Sequence, residues 1–305
     1  MTGIAPSVVL ATARDYPLTA SDAALGRELE KRGVRVTSAP WDAISPATSN
    51  GDIVVLRSTW DYHRRPAEFR RWVEAWDRKP VNLWNPPPTV LWNMDKVYLR
   101  DLADRGIRIP LTRWLEPGEP PDVEDFLAGT GVEAAVVKPR ISATAWGTRI
   151  VRSGEELAAA DLAPLLATGS LIQEFIPEIH TVGELSLVFI AGVFSHAFIK
   201  RALPGDFRVQ VEFGGSETPA SASTAVLAFA ESVLLAARHA WLYARVDVVE
   251  TSPEPVLMEL ELIEPALSLD ATPGAAARFA EALLSSAAPT GPVAATGGRS
   301  SPRAR

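Results

Sequence analysis

The chain has 305 residues, of which 47% are hydrophobic, and its formal net charge is −7. This acidity argues against a nucleic-acid-binding protein, which would present a basic face. The sequence contains no cysteine, which excludes disulfides, thiolate zinc sites, iron–sulfur clusters and cysteine nucleophiles.

The length allows one large unit or two to three subdomains. No apolar run reaches membrane-spanning length, and the first residues lack the basic region of a signal peptide. We therefore expect a cytoplasmic protein that binds neither membranes nor nucleic acid.

The first part of the chain alternates strand and helix signals. Strands are predicted over residues 8–12, 34–39, 53–56 and 81–84. Ser21 or Asp22 is predicted to cap a helix after the first strand, and Pro66 to open another after the third. This alternation predicts a parallel sheet with helices on both faces. Ligands bind beyond the carboxyl ends of such strands, where Asp15 and residues 57–62 fall.

The run Pro86-Pro87-Pro88 is the first predicted boundary, and it closes an N-terminal α/β domain of residues 1–88. We predict two further units, over residues 89–170 and 171–286. Within them a helix is predicted over residues 94–105, and a hairpin turn at Ala191-Gly192. Residues 287–305 lack periodicity and are predicted to form a disordered tail.

The most distinctive segment is residues 200–215. Its cationic side chains and its glycine pair are Lys200, Arg201, Arg208, Gly214 and Gly215. Positive charge beside a backbone that allows close approach suits a polyphosphate. The segment therefore predicts an anion site.

Three carboxylates lie on apolar strand patterns nearer the C-terminus. Glu259 and Glu261 are two residues apart and so share one face of a strand, and Asp247 lies in another apolar run. Mg²⁺ takes such oxygen ligands together with substrate phosphates. A solvated face of an edge strand would show the same spacing, so the spacing alone leaves both readings open.

Several other common chemistries are not indicated by the sequence. The four histidines show no metal-ligand spacing, and there is no Walker A sequence, no dinucleotide fingerprint and no Gly-x-Ser-x-Gly. Lys96 and Lys138, taken singly, are more typical of surface lysines than of ligands.

Taken in order, several motifs resemble the ATP-grasp superfamily, in its glutathione synthetase-like and α-L-glutamate ligase-like branch. The resemblance covers about residues 90–270. The matching pieces are Asp95-Lys96, Val137-Lys138-Pro139, Gln173-Glu174-Phe175-Ile176, Gly183-Glu184-Leu185-Ser186, the 200–215 segment, Asp247 and Glu259-Leu260-Glu261. It implies an ATP-grasp fold, which is α/β in the N-terminal domain and α+β in the ATP-binding part.

The resemblance also implies roles for individual residues. Lys96 and Lys138 would contact the α- and β-phosphates of ATP, and Glu184 the ribose. The adenine-binding strand would comprise Gln173, Glu174, Phe175 and Ile176. Arg201 and Arg208 would hold the transferred phosphate, with Lys200 nearby. One or two Mg²⁺ ions would be held by Asp247, Glu259 and Glu261.

Two features depart from the family pattern. The phosphate-covering loop is usually rich in glycine, whereas residues 141–147 contain one. Gln210 and Glu261 stand where relatives often have asparagine. The role of the loop as a lid is therefore open, and the metal site is more anionic than usual.

Residues 56–62 and 83–86 resemble the branch that contains the D-cycloserine-forming cyclo-ligase, which closes O-ureido-D-serine. In that reading, an amino-acid-like substrate would contact Asp15, Arg57, Ser58, Thr59, Asp61, Gly214 and Gly215. Alternatively, Trp60 and Tyr62 simply pack the seam between domains.

The combined interpretation is an ATP- and Mg²⁺-dependent carboxylate–nitrogen ligase that acts on a small amino-acid-like substrate through an acyl phosphate. A phosphotransferase on the same fold and a catalytically silent nucleotide-binding protein are the alternatives. Cyclisation, the identity of the substrate and homo-oligomer formation all stay open.

Overall fold

The computed structural model describes residues 7–47, 49, 52–77, 82–203 and 214–286. Within these residues the chain forms three sheets and eight α-helices. The N-terminal sheet is parallel and the other two are antiparallel, so the predicted fold class is confirmed. The predicted tail, residues 287–305, lies outside the described residues.

The N-terminal sheet has the strand order β2-β1-β3-β4. Its strands are β1 (Ser7–Thr12), β2 (Arg35–Pro40), β3 (Ile53–Leu56) and β4 (Asn82–Trp84), with helices α1 (Ala20–Lys31) and α2 (Pro66–Trp76). The predicted cap of α1 was wrong by two to three residues. Thr19 is the cap, and Asp22 completes a reciprocal capping box from inside the first turn.

A helix begins within the run Pro86-Pro87-Pro88, where the first boundary is predicted. Helix α3 (Pro87–Asn93) begins at Pro87, where a missing N–H costs nothing, and α4 (Tyr98–Ala103) follows. Of the helix predicted over residues 94–105, only the part that forms α4 is an α-helix. Lys96 lies at the junction between α3 and α4.

The central sheet has the strand order β5-β8-β6-β7. Its strands are β5 (Thr112–Leu115), β6 (Ala134–Pro139), β7 (Arg149–Arg152) and β8 (Ser170–Glu174), with helices α5 (Val123–Thr130) and α6 (Ala159–Thr168). Strand β8 pairs with both β5 and β6. The boundary predicted between residues 170 and 171 thus falls at the start of a strand of this sheet.

The third sheet is the largest, with the strand order β11-β10-β9-β12-β13. Its strands are β9 (Glu184–Ile190), β10 (Val193–Arg201), β11 (Ser216–Ala220), β12 (Tyr243–Val249) and β13 (Val256–Glu261), with helices α7 (Thr224–Ala237) and α8 (Ala275–Ser286). All positions of β9 and β12 are buried, as expected for strands covered on both faces. The predicted hairpin at Ala191-Gly192 is confirmed.

One hydrophobic core joins the two ends of the chain. Phe279 and Leu283 of α8 pack with Leu25 of α1 and with Leu10 of the N-terminal sheet. The same core includes Tyr243 of β12. The helix α8 therefore packs on α1 and shares a hydrophobic core with the first sheet. No helix in the described ranges has the length and apolar character to cross a membrane.

Candidate active site

A cavity of about 620 Å³ is lined by residues from all three sheets or their loops. Eleven of the residues singled out in the sequence line it: Lys96, Lys138, Gln173, Glu174, Phe175, Ile176, Glu184, Lys200, Asp247, Glu259 and Glu261. They come from positions up to 165 residues apart, and the fold gathers them around one space.

The polar wall of this cavity is one face of the largest sheet. Glu184 lies opposite Lys200, and Asp247 lies opposite both Ser186 and Glu259. Residues two apart on a strand share a face, so the register places these side chains together. The central pair of strands thus carries charges on one face and apolar side chains on the other.

Lys200 and Asp247 form a buried ion pair. The Lys200 Nζ lies 2.9 Å from the Asp247 Oδ2 and 2.5 Å from the Glu184 Oε1, and the Ser186 hydroxyl donates to Asp247 at 2.7 Å. Burial would raise the pKa of Asp247, but the charges of Arg245 and Lys200 outweigh it and hold the pKa below its ordinary value. Asp247 is therefore an ionised carboxylate already held by cations.

Arg245 is a site residue that was missed in the sequence. It lies opposite Glu261, donates to Asp247 at 2.9 Å from both Nε and Nη2, and pairs with Glu261 through Nη2. The available signal was its position two residues before Asp247, on the same strand face. With its side chain buried in the cavity wall, it is a second cation beside the carboxylates.

Glu259 and Glu261 differ in their surroundings. Glu259 pairs with the Lys96 Nζ at 2.9 Å, and the charges of Lys96 and Lys138 outweigh burial to lower its pKa. For Glu261 the opposite holds: burial and the charges of Glu259 and Asp247 outweigh Arg245 and raise its pKa to about 7.

A divalent cation would relieve this repulsion, and two carboxylates with phosphate oxygens are a donor set that Mg²⁺ accepts. Glu259 and Glu261 therefore fit a Mg²⁺ site. Asp247 fits it poorly, because Lys200, Arg245 and Ser186 already hold its oxygens. In the described part of the chain, no group of three or more acidic or histidine side chains is arranged to hold a metal ion.

Lys138 differs from the other lysines of the cavity. Lys96 and Lys200 each pair with a carboxylate, whereas Lys138 forms no ion pair with any described residue. Burial lowers the pKa of Lys138 to about 8. A half-buried ammonium without an anion is unfavourable, so this position suits an anionic ligand.

The predicted adenine-binding strand lies at the end of β8. Glu174 donates its N–H to the Leu111 carbonyl at 2.8 Å, and its carboxylate accepts from the Leu111 N–H at 3.2 Å. The Gln173 side chain donates to Thr112. Apolar side chains complete the lining here, namely Val136, Ile179, Met258 and Leu260. Such a slot fits a flat, apolar ring system.

The loop of residues 140–147 lies along the cavity and is tied to the rest of the chain. Lys96 donates its N–H to the Arg140 carbonyl and its Nζ to the Ser142 carbonyl, both at 2.9 Å. Beyond these bonds, the ring of Trp146 lies 5.0 Å from the ring of the buried His63. Mainly through burial, the pKa of His63 falls to about 4. The loop is thus held by both polar and aromatic contacts.

Known proteins share this architecture. The family described as D-cycloserine synthetase DcsG, N-terminal domain, matches residues 8–85. The cycloserine biosynthesis protein DcsG of Streptomyces lavendulae is 34% identical over 267 residues, which cover 82% of this chain and 88% of that protein. The chain belongs to the DcsG family.

Solved structures agree with this assignment. The crystal structure of D-cycloserine synthetase DcsG matches the DcsG-family chain with a TM-score of 0.81 at 28% identity, over 92% of this chain and 99% of that one. D-alanine–D-alanine ligase from Bacillus anthracis, complexed with ATP, shares the fold with a TM-score of 0.63 at 15% identity, over 93% and 97%. The predicted ATP-grasp fold and the predicted C–N ligase class are confirmed.

Several predicted site residues of this DcsG-family chain do not line the cavity. They are Asp15, Arg57, Ser58, Thr59, Asp61, Arg201, Gly214 and Gly215. Asp15 and Arg201 are exposed. Arg208 and Gln210 lie outside the described residues, so their predicted roles stay predictions.

In the segment after β3, the side chains of Arg57 and Asp61 contact other protein groups and do not line the cavity as predicted. Arg57 is 2% exposed and pairs with Asp22 at 2.7 Å, and Asp61 accepts from Trp41 and Arg65. These contacts occupy the side chains that were expected to bind substrate. Trp60 and Tyr62 line the cavity instead. The alternative that they only pack between domains therefore does not describe their full surroundings.

A second group of cavity residues was also missed. It comprises Thr19, Ala20 and Ser21 at the start of α1, Glu217 on β11, and Glu264, Ala266, Ser268 and Asp270 after β13. No motif marks these positions, because they come from three separate parts of the chain that the fold brings together. They give the DcsG-family cavity a polar part beyond the nucleotide-type lining.

Proposed function

We propose that the chain is an ATP- and Mg²⁺-dependent carboxylate–nitrogen ligase that closes a small amino-acid-like substrate into a ring through an acyl phosphate. One observation carries the proposal. A single cavity joins the apolar slot at the end of β8, an unpaired Lys138 and the Glu259–Glu261 carboxylate pair. A nucleotide needs these three features in this combination.

ATP would lie with its base against Val136, Ile179 and Met258, and with its phosphates toward Lys138 and Lys96. Lys138 supports this placement because it has no anion among the described residues. Glu184 is the proposed ribose contact, although its carboxylate also holds Lys200. When bound, Mg²⁺ would supply charge neutralisation at the phosphates, held by Glu259 and Glu261.

The chemistry follows from aligned charges. A substrate carboxylate oxygen attacks the γ-phosphorus, the bond from phosphorus to the bridging oxygen breaks, and ADP leaves with the electron pair. A substrate nitrogen then attacks the acyl carbon, phosphate leaves, and the nitrogen gives up a proton. Arg245 and Lys200 lie where anionic charge would gather, and fixed cations stabilise such charge without reorganisation.

Ring closure is the finer part of the proposal. The relatives named for D-cycloserine support an intramolecular nitrogen nucleophile, with O-ureido-D-serine as the candidate substrate. The number of bound Mg²⁺ ions, one or two, belongs to the same proposal. Homo-oligomer formation and a cytoplasmic location stay predictions.

The test is an assay of ADP, phosphate and products with O-ureido-D-serine and with a panel of amino acids. ADP and free phosphate with a cyclic product support the ligase. A stable phosphorylated product would instead indicate a phosphotransferase. ATP binding without turnover on any substrate would indicate a silent nucleotide-binding protein.

Two variants test the site in the same assay. Lys138→Ala and Glu259→Gln should abolish ATP-dependent turnover while the far-ultraviolet circular dichroism is unchanged. Lys31→Ala and Glu250→Gln make the same chemical changes at exposed positions outside the cavity and should leave turnover as it is. Full activity of the first two variants would refute the assigned site.

A further inference from the structure

The loop after β13 forms a wall of the cavity through alternate residues. Glu264, Ala266 and Ser268 line the cavity, whereas Pro265 and Leu267 are buried away from it. This loop, residues 264–268, follows directly after the Glu259–Glu261 pair. It is therefore next to the proposed site of phosphoryl transfer.

Four consecutive carbonyl groups hold this wall in place. Trp60 Nε1 donates to the Glu264 carbonyl at 3.0 Å, and Arg57 Nη2 to the Pro265 carbonyl at 2.7 Å. Arg245 Nη1 donates to the Ala266 carbonyl at 3.0 Å, and His196 Nε2 lies 2.7 Å from the Leu267 carbonyl. With its backbone fixed from two domains, Glu264 has a defined position.

Among the described residues, no cation pairs with the Glu264 carboxyl group. It is 8% exposed and forms no ion pair with any described residue. Two described cations that line the cavity are already engaged, since Lys96 pairs with Glu259 and Arg245 pairs with Asp247 and Glu261. Tyr62, Glu259 and Glu261 face the same space.

A buried carboxyl group without a cation is stable only in its neutral form. Burial, reinforced by the charge of Glu261, raises the pKa of Glu264 well above its ordinary value. A neutral carboxylic acid offers one O–H donor and one carbonyl acceptor side by side. Its complement is a group with an adjacent acceptor and donor, which describes a carbamoyl group and describes neither an ammonium nor a carboxylate.

We propose that Glu264 is a specificity-determining residue whose carboxylic acid forms a paired hydrogen bond with a neutral carbamoyl group of the substrate. The inference rests on the proposed function, because it assigns a part of the same cavity. It adds the chemical class of the substrate group that Glu264 recognises. Trp60 and Arg57 act through the wall as positioning residues.

Two substitutions separate the possible roles of Glu264. Glu264→Gln keeps a donor and an acceptor without a charge, whereas Glu264→Ala removes both. We expect binding of O-ureido-D-serine to the ADP-bound protein to weaken less than about 10-fold in E264Q and by about 100-fold in E264A. Titration calorimetry measures both values, and the ADP affinity of each variant reports that the fold and the nucleotide site persist.

Equal losses in E264Q and E264A would overturn the inference, because an ionised carboxylate would then be needed. Failure of the wild-type protein to bind O-ureido-D-serine would overturn it as well. Binding with the expected order of variants but without any ADP release in the turnover assay would support this recognition and refute the ligase. D-serine lacks the carbamoyl group and should bind the wild type and E264A with similar affinity. Glu250→Gln serves as the matched control.

Discussion

Lys138 is the cavity cation whose protonation should change most when a nucleotide binds. Its pKa is lowered to about 8 by burial, and nucleotide phosphates favour the ammonium form. Nucleotide binding therefore raises the pKa of Lys138 and takes up a proton. Affinity for ADP should be full below pH 8 and fall by up to about tenfold per pH unit above it.

Titration calorimetry with ADP from pH 7 to 9.5 measures this dependence. Lys138→Arg keeps a positive charge throughout that range and should flatten the profile. The same slope in wild type and in K138R would assign the titration to another group.

Glu261 should release a proton when a metal ion binds, whereas Lys138 takes one up when a nucleotide binds. The pKa of Glu261 is raised to about 7, and a metal ion binds the deprotonated carboxylate. Binding of Mg²⁺ should therefore release a proton below pH 7, and Mg²⁺ affinity should rise as the pH rises to 7 and level off above it. Calorimetry of Mg²⁺ binding to the ADP complex, in two buffers with different ionisation heats, counts the protons.

Glu261→Gln should abolish that proton release. If E261Q releases as many protons as the wild type, Glu261 is not the group that titrates.

Loop 140–147 is the element whose behaviour the sequence left open. It holds one glycine, yet Thr144 and Ala145 adopt positive φ values of 52° and 54°. Such values are costly without glycine and persist where the surroundings fix them. The bonds from Lys96 and the contact between Trp146 and His63 provide that fixation.

Removal of the aromatic contact should loosen this loop. An aromatic pair contributes about 1 kcal/mol beyond burial, so Trp146→Ala should raise the KM for ATP by about fivefold. Trp146→Phe keeps an aromatic ring and should stay close to wild type. Steady-state kinetics at varied ATP concentration measure both KM values. Equal KM values in W146A and wild type would show that this loop does not contribute to nucleotide binding.

Much of the fold was predictable at this scale, because strand and helix periods are local properties. The parallel sheet, the Ala191-Gly192 hairpin and the carboxylate spacing on β13 all follow from neighbouring residues. The orientation of Arg57 does not, since it depends on Asp22 and on the Pro265 carbonyl, 208 residues away. Arg245 was missed for a related reason: its partner Glu261 becomes a neighbour only when β12 pairs with β13.

At the scale of the molecule, Arg57 and Asp22 form an ion pair in which both side chains are 2% exposed. Removal of one partner leaves an uncompensated buried charge, which costs about 3–5 kcal/mol. Arg57→Met should lower the free energy of unfolding by that amount. Urea unfolding followed by circular dichroism measures it.

Arg14→Met is the matched control, because Arg14 pairs with Asp42 from a side chain that is 65% exposed. Exposed pairs contribute at most about 1 kcal/mol. Comparable losses in R57M and R14M would show that burial of the Arg57 pair has little effect on stability.

The core shared by α8 and the N-terminal sheet has a consequence for biosynthesis. The ribosome translates residues 7–84 long before Phe279 and Leu283, which belong to the core shared with that sheet. Domains usually fold in the order in which they are made. The apolar side chains of α1 that pack against α8 therefore stay without this partner until α8 has been translated.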